Sequence, residues 1–175
     1  QKIGRFEMVA KLGEMELRSP FAPQNLAQIV GEAMLDSGQK DKARPILERA
    51  LERTPESVRV QDALAALDYD PEFWEDMVEH LTSKADSFDD PTSVRMLVRA
   101  ARILKNEAPE DPRLEDLSKR VLAKDIDEPS VNFIYETLLA TAGRWDELEA
   151  HHRSRAERAS DHSKRVEALR MFALE

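Results

Sequence analysis

The sequence predicts an all-α protein: a right-handed superhelical stack of antiparallel helix hairpins, an α-solenoid of about nine to ten helices. Three observations carry this expectation. Apolar residues recur at i, i+3, i+4 and i+7 in segment after segment, the period of an amphipathic helix. Only 5 glycines and 9 prolines interrupt the 175 residues, too few for a β protein, which turns every few residues. A segment that begins with one of the two tryptophans also returns in phase 71 residues later, as a repeat architecture requires. Hydrophobic residues make up 41% of the chain, enough to build a core, so global disorder is excluded.

The elements follow in order. Residues 3–17 read as a first helix with Phe6, Val9, Leu12 and Leu17 inward, broken by Arg18-Ser-Pro-Phe-Ala-Pro23. Residues 24–37 carry Ala27, Val30, Gly31 and Met34 on one side and end at Gly38, a left-handed cap. Residues 41–54 present Ala43, Ile46, Leu47 and Ala50, with Pro45 expected in the first turn, where a missing N–H costs little. Residues 56–68 (Val60, Leu64, Leu67) and 71–87 (Trp74, Met77, Leu81, Ala85) make the next pair. Residues 91–106 (Leu97, Ala101, Leu104) and 112–124 (Leu114, Leu117, Val121) make another. Residues 129–142 and 144–159 flank Gly143, and 161–175 begin a further unit. The chain divides into residues 1–20, the remainder of a preceding unit, and an array over 21–175 with units near 24–57, 58–90, 91–125 and 128–160. It begins at Gln1 and stops at Glu175 inside a helical pattern, and reads as a piece of a longer protein.

Aligned without a gap, Trp74–Asp90 and Trp145–Asp161 share Trp, His80/His151, Ser83/Ser154, Ala85/Ala156 and Asp, 5 identities in 17 positions. Residues 24–55 place Ala27, Val30, Gly31, Met34, Ala43, Leu47, Ala50 and Pro55 at the large, small and closing positions of a repeat. Gly31 and Ala43 let the two helices of the hairpin approach closely. In this pattern the chain resembles the tetratricopeptide repeat (TPR) family. The resemblance implies stacked hairpins with one continuous core, and a concave surface that binds a partner peptide or protein face. The Trp-bearing units are looser: Leu148 replaces a small residue, and His152 stands where an apolar one belongs.

Charge is unevenly distributed. The net charge is −9, and it comes from residues 55–90, where 11 acids face only Arg59 and Lys84. Residues 92–105 contain no acid and carry Arg95, Arg99, Arg102 and Lys105, which share one helix face. A row of guanidinium forks suits carboxylates. The resemblance implies a groove formed by the first helix of each unit. Asn25, Gln28, Glu32, Arg95, Arg99, Arg102 and Lys105 are the candidate groove residues, and an acidic segment is the candidate partner. Arg95 and Arg99 fall where carboxylate-clamp members of the family carry basic residues, whereas Gln28 and Glu32 depart from the clamp pattern. The other reading is that these cations neutralise the acidic hairpin beside them.

Other chemistry finds little support. The acidic balance argues against nucleic acid, whose phosphates demand a basic face. No run of apolar residues is long enough to insert into a membrane. Absence of cysteine excludes disulfides and thiolate nucleophiles. His151 and His152 are adjacent and point about 100° apart on a helix, a poor pair of metal ligands. The carboxylate pairs, such as Glu75/Glu79 and Asp89/Asp90, lie on polar faces, and Asp41, Asp111, Asp127 and Asp161 suit helix starts. No metal, cofactor or catalytic residue is expected, and Trp74 and Trp145 are expected to pack into their hairpins. The function is therefore expected to be a non-enzymatic scaffold for protein–protein interaction. The alternative is a structural spacer that self-associates through terminal hairpins.

Overall fold

The structure, a computed structural model, describes residues 11–13, 15–17, 19, 22–23 and 25–158. Expectations that fall on residues 1–10 and 159–175, Phe6, Val9 and Asp161 among them, lie outside these. The described residues form helices joined by turns, with no strand. The helices are α1 (Leu26–Asp36), α2 (Lys40–Arg53), α3 (Val58–Ala65), α4 (Trp74–Ala85), α5 (Asp90–Glu107), α6 (Arg113–Lys124), α7 (Pro129–Thr141) and α8 (Trp145–Arg158). Residues 11–13 and 15–16 are also helical.

Local chemistry sets the ends. Gly38 and Gly143 stop α1 and α7 at φ +81° and +68°, a region that side chains with a Cβ rarely enter. The Ser57 hydroxyl accepts from Val60 N at 3.4 Å, and the Glu128 carboxylate accepts from Val131 N at 2.6 Å, starting α3 and α7. Asp111 bonds the Arg113 N–H at 2.9 Å just before α6. Pro45 departs from expectation. Because α2 begins at Lys40, directly after the Gly38 turn, the proline lies inside the helix rather than in its first turn.

Helices α1 and α2 form one tight pair, and α4 and α5 the other; α5, α6, α7 and α8 then pack in succession. Helices α3 and α4, expected as one hairpin, share little contact. The eight-residue α3 turns Val60 and Ala63 toward α1 and α2, while α4 turns Val78, Leu81 and Ala85 toward α5. The apolar interior is consequently not continuous. One cluster gathers Leu17, Val30, Met34, Leu47 and Val60 with their neighbours through Ala66. The other gathers Val78, Leu97, Leu104, Val121, Ile134 and Leu148, and Tyr69 packs on it. The chain passes from one cluster to the other at Asp68.

Two inward expectations fail. Leu12 is 58% exposed. Trp145 is 59% exposed, whereas Trp74 is half-buried against the second cluster, with the Arg113 guanidinium 5.9 Å from its ring centroid. Identical residues in repeat-equivalent places thus have different surroundings, because what covers the start of α4 is a cation from α6.

Candidate groove and the polar seam beside it

The first helices of successive pairs, α1, α3, α5 and α7, face one another. Helix α1 touches α3, α5 and also α7, so the stack curves tightly enough for its first and last such helices to meet. Their facing sides carry charge, and most of it is already matched.

Glu32 and Asp36 lie one turn apart on α1 and are both buried. Arg59 of α3 forks onto Glu32, with Nε 2.7 Å from Oε1 and Nη2 2.7 Å from Oε2; the carboxylate holds the guanidinium pKa above its ordinary value. Gln28 donates to Glu32 at 3.2 Å. Arg102 of α5 is 4% exposed, and its Nε lies 3.1 Å from Asp36 Oδ1 while its Nη2 donates to Ser130 Oγ of α7 at 2.6 Å. Burial pushes the Asp36 carboxyl above the usual carboxylate range, against the pull of Arg102. Glu128, also raised by burial, lies close enough to Arg59 and Arg102 for their charges to lower it in part.

Arg95 grips Asp62 of α3 with both Nε (2.6 Å) and Nη2 (2.7 Å). Arg99 donates from Nη2 to the Asp68 carbonyl at 3.2 Å, and its Nε has no hydrogen-bond partner. Lys105 sits half-buried away from the cleft, and Asn25 is exposed at the N-cap of α1 with no side-chain cap bond. Of the row predicted from spacing, Arg95 and Arg99 are therefore engaged with the acidic segment and Arg102 with α1. Asp36, Arg59, Glu128 and Ser130 were not among the candidate groove residues read from sequence. One signal was present: two acids four residues apart in the apolar stretch Leu26–Asp36 require a cation from elsewhere.

Between α3 and α5 a cleft of about 530 Å³ remains open. Val58, Pro91, Val94 and Val98 give it apolar lining; Arg59, Arg95, Arg99, Arg102 and Lys124 bring cations, and Asp62, Asp90, Asp125 and Glu128 bring acids. Lys124 is bonded to Asp90 at 2.6 Å. Arg99 is thus the one lining cation with no carboxylate bonded to it among the described residues.

At the far end, α8 carries the adjacent histidines. His151 Nε2 lies 2.8 Å from Asn132 Oδ1 and its ring meets Tyr135 edge-on at 5.2 Å. Burial, with help from the Arg155 and His152 charges, lowers its pKa to about 4. His152 is fully buried, 3.6 Å from Glu136 Oε1, to which Arg155 donates at 3.1 Å. His152 is thus packed against α7, with His151 half-buried beside it. Among the described residues no group of three or more His, Asp or Glu side chains is arranged to hold a metal.

Among the described residues the fold is all-helical, and its surface offers an open groove. Residues 25–67 match the family model of the tetratricopeptide repeat, a match that supports a TPR-like repeat protein. Repeats of this kind generally mediate protein–protein interaction and are typically non-enzymatic. Neither a curated protein nor a solved structure matches the chain. No helix among the described residues is long and apolar enough to cross a membrane.

Proposed function

We propose that this chain is a protein-interaction scaffold that receives an extended segment of a partner in the cleft between α3 and α5. The segment would combine an acidic residue with aliphatic neighbours. The supporting observation is Arg99: it lines a cleft floored by Val58, Val94 and Val98, and its guanidinium bonds a backbone carbonyl instead of a carboxylate. A charged fork beside an apolar floor selects a carboxylate flanked by hydrocarbon. Arg59, Arg95, Arg102 and Lys124, each already on an acid, would shape the cleft's walls. A displayed peptide library panned against the protein tests this. Enriched peptides should carry Asp or Glu next to Leu, Ile or Val, bind more weakly as salt rises, and lose about tenfold or more in affinity to Arg99→Glu. Enrichment without an acid, or equal binding by the Arg99→Glu variant, overturns the reading.

A further inference from the structure

In a solenoid each unit leans on its neighbour through a shared apolar interface. Here the interface between the α1–α3 part and the α4–α8 part is rich in charge. The two buried apolar clusters end on either side of it, and among the described residues three ion pairs cross it. Asp36 meets Arg102 at its buried centre. Asp62 meets Arg95 at one exposed margin. Lys40 meets Glu107, with the Tyr69 hydroxyl bonded to both, at the other. The covalent link is residues 66–73, turn and bend between α3 and α4. Leu67 belongs to the first cluster and Tyr69 to the second. Asp68 between them is held from both sides, its carboxylate by Arg44 of α2 at 2.8 Å and its carbonyl by Arg99 of α5 at 3.2 Å. The cleft opens along this same seam, with Val58, Arg59 and Asp62 on one lip and Pro91, Val94, Arg95 and Val98 on the other.

We propose that the seam is a hinge: the α1–α3 and α4–α8 bodies swing about residues 66–73, and the three ion pairs latch them in the closed, tightly curved state seen here. Apolar cores repack only as units, while ion pairs in water-accessible margins exchange with solvent at little cost. Polar interfaces between bodies of one chain permit relative motion, whereas large apolar ones do not. The marginal pairs are the salt-sensitive part of the latch, since the screening length falls from about 8 Å at physiological ionic strength to about 3 Å at 1 M. The buried Asp36–Arg102 pair is shielded from salt, and its bond to Ser130 carries the closure through to α7. Opening would widen the cleft and part α1 from α7. The proposal concerns motion of the chain alone and does not require that the cleft bind a partner.

The chain has no cysteine, so spin labels can be placed at will. Labels at Glu52→Cys on α2 and Ala123→Cys on α6, both exposed, report the separation of the two bodies by pulsed electron–electron resonance. The expected result is a narrow distance distribution at low salt. At 1 M salt, and in a Lys40→Gln/Arg95→Gln variant, the distribution should broaden and its mean lengthen, with helical circular dichroism unchanged. Adding Arg102→Met, which keeps the side-chain length and removes the charge, should lengthen the mean further. An unchanged distribution in high salt and in the double variant overturns the proposal. Should Arg102→Met lose helical signal, the double variant, whose substitutions fall at the half-buried Lys40 and the exposed Arg95, decides alone. Loss of helix in step with lengthening in the double variant also overturns the proposal, since the pairs would then hold the fold and not its curvature.

Discussion

Gly31 governs how closely α1 lies on α2. A Cβ built there would stand 2.7 Å from both Cγ and Cδ2 of Leu47, and Leu47 is fully buried with nowhere to retreat. Overpacking of this kind costs about 1–3 kcal/mol, while alanine returns only about 1 kcal/mol of helix propensity. Gly31→Ala should therefore lower stability by up to about 2 kcal/mol, read as an earlier urea midpoint at unchanged slope; a later midpoint would show that Leu47 yields. The role of this residue was legible in the sequence, because a small residue at a fixed offset from Ala43 and Leu47 has a local meaning. The role of Arg102 was not. Its spacing from Arg95 and Lys105 is that of a surface ridge, and its partner Asp36 stands 66 residues away, a separation that no periodicity encodes.

At the scale of the element, Pro45 is the anomaly. It is exposed, inside α2, and deprives the Asp41 carbonyl of its intrahelical donor. An interior proline costs about 3 kcal/mol in a helix, part of which is recovered because proline also stiffens the unfolded chain. Pro45→Ala should raise stability by about 1–2 kcal/mol, seen as a higher melting temperature with unchanged helical content. A lower melting temperature would mean that the ring's contacts beside Leu67 and Tyr69 outweigh the restored bond. The helices themselves could be read because amphipathic periodicity, glycine caps and first-turn acids are all local signals. Which helix each one embraces could not. The apolar stripe of α4 (Val78, Leu81, Ala85) identifies a buried face but is silent on whether α3 or α5 covers it, and so the seam between the two bodies had no signature of its own.

At the scale of the molecule, the response to acid separates the ionisable groups by sign. Glu115 is held at about 2 by hydrogen bonds from Arg144 and Lys119. Its folded pKa lies below the unfolded value, so its contribution is complete above about 4.5 and vanishes as pH falls toward about 2. His151, depressed to about 4, takes up its proton more readily when unfolded, so stability is lost as pH falls from about 6.5 to about 4. Asp36 and Glu128 act oppositely. Burial raises both, so the folded state binds their protons first and their protonation favours folding. Above pH 4.5 the decline therefore comes from His151, whereas below it Glu115 adds a second loss. Urea midpoints taken from pH 7 to pH 3 should fall in these two stages. His151→Gln, which keeps a donor for Asn132, should flatten the upper stage and leave the lower one, and Glu115→Gln should shrink the lower stage, to which the lowered Glu107, Asp111 and Glu147 also contribute, and leave the upper. Asp36→Asn should steepen the overall fall, because it removes a group whose protonation favours the folded state. If His151→Gln left the slope between pH 6.5 and 4 unchanged, the ring would be titrating as it does in the unfolded chain, and its packing against Asn132 and Tyr135 would not persist in solution.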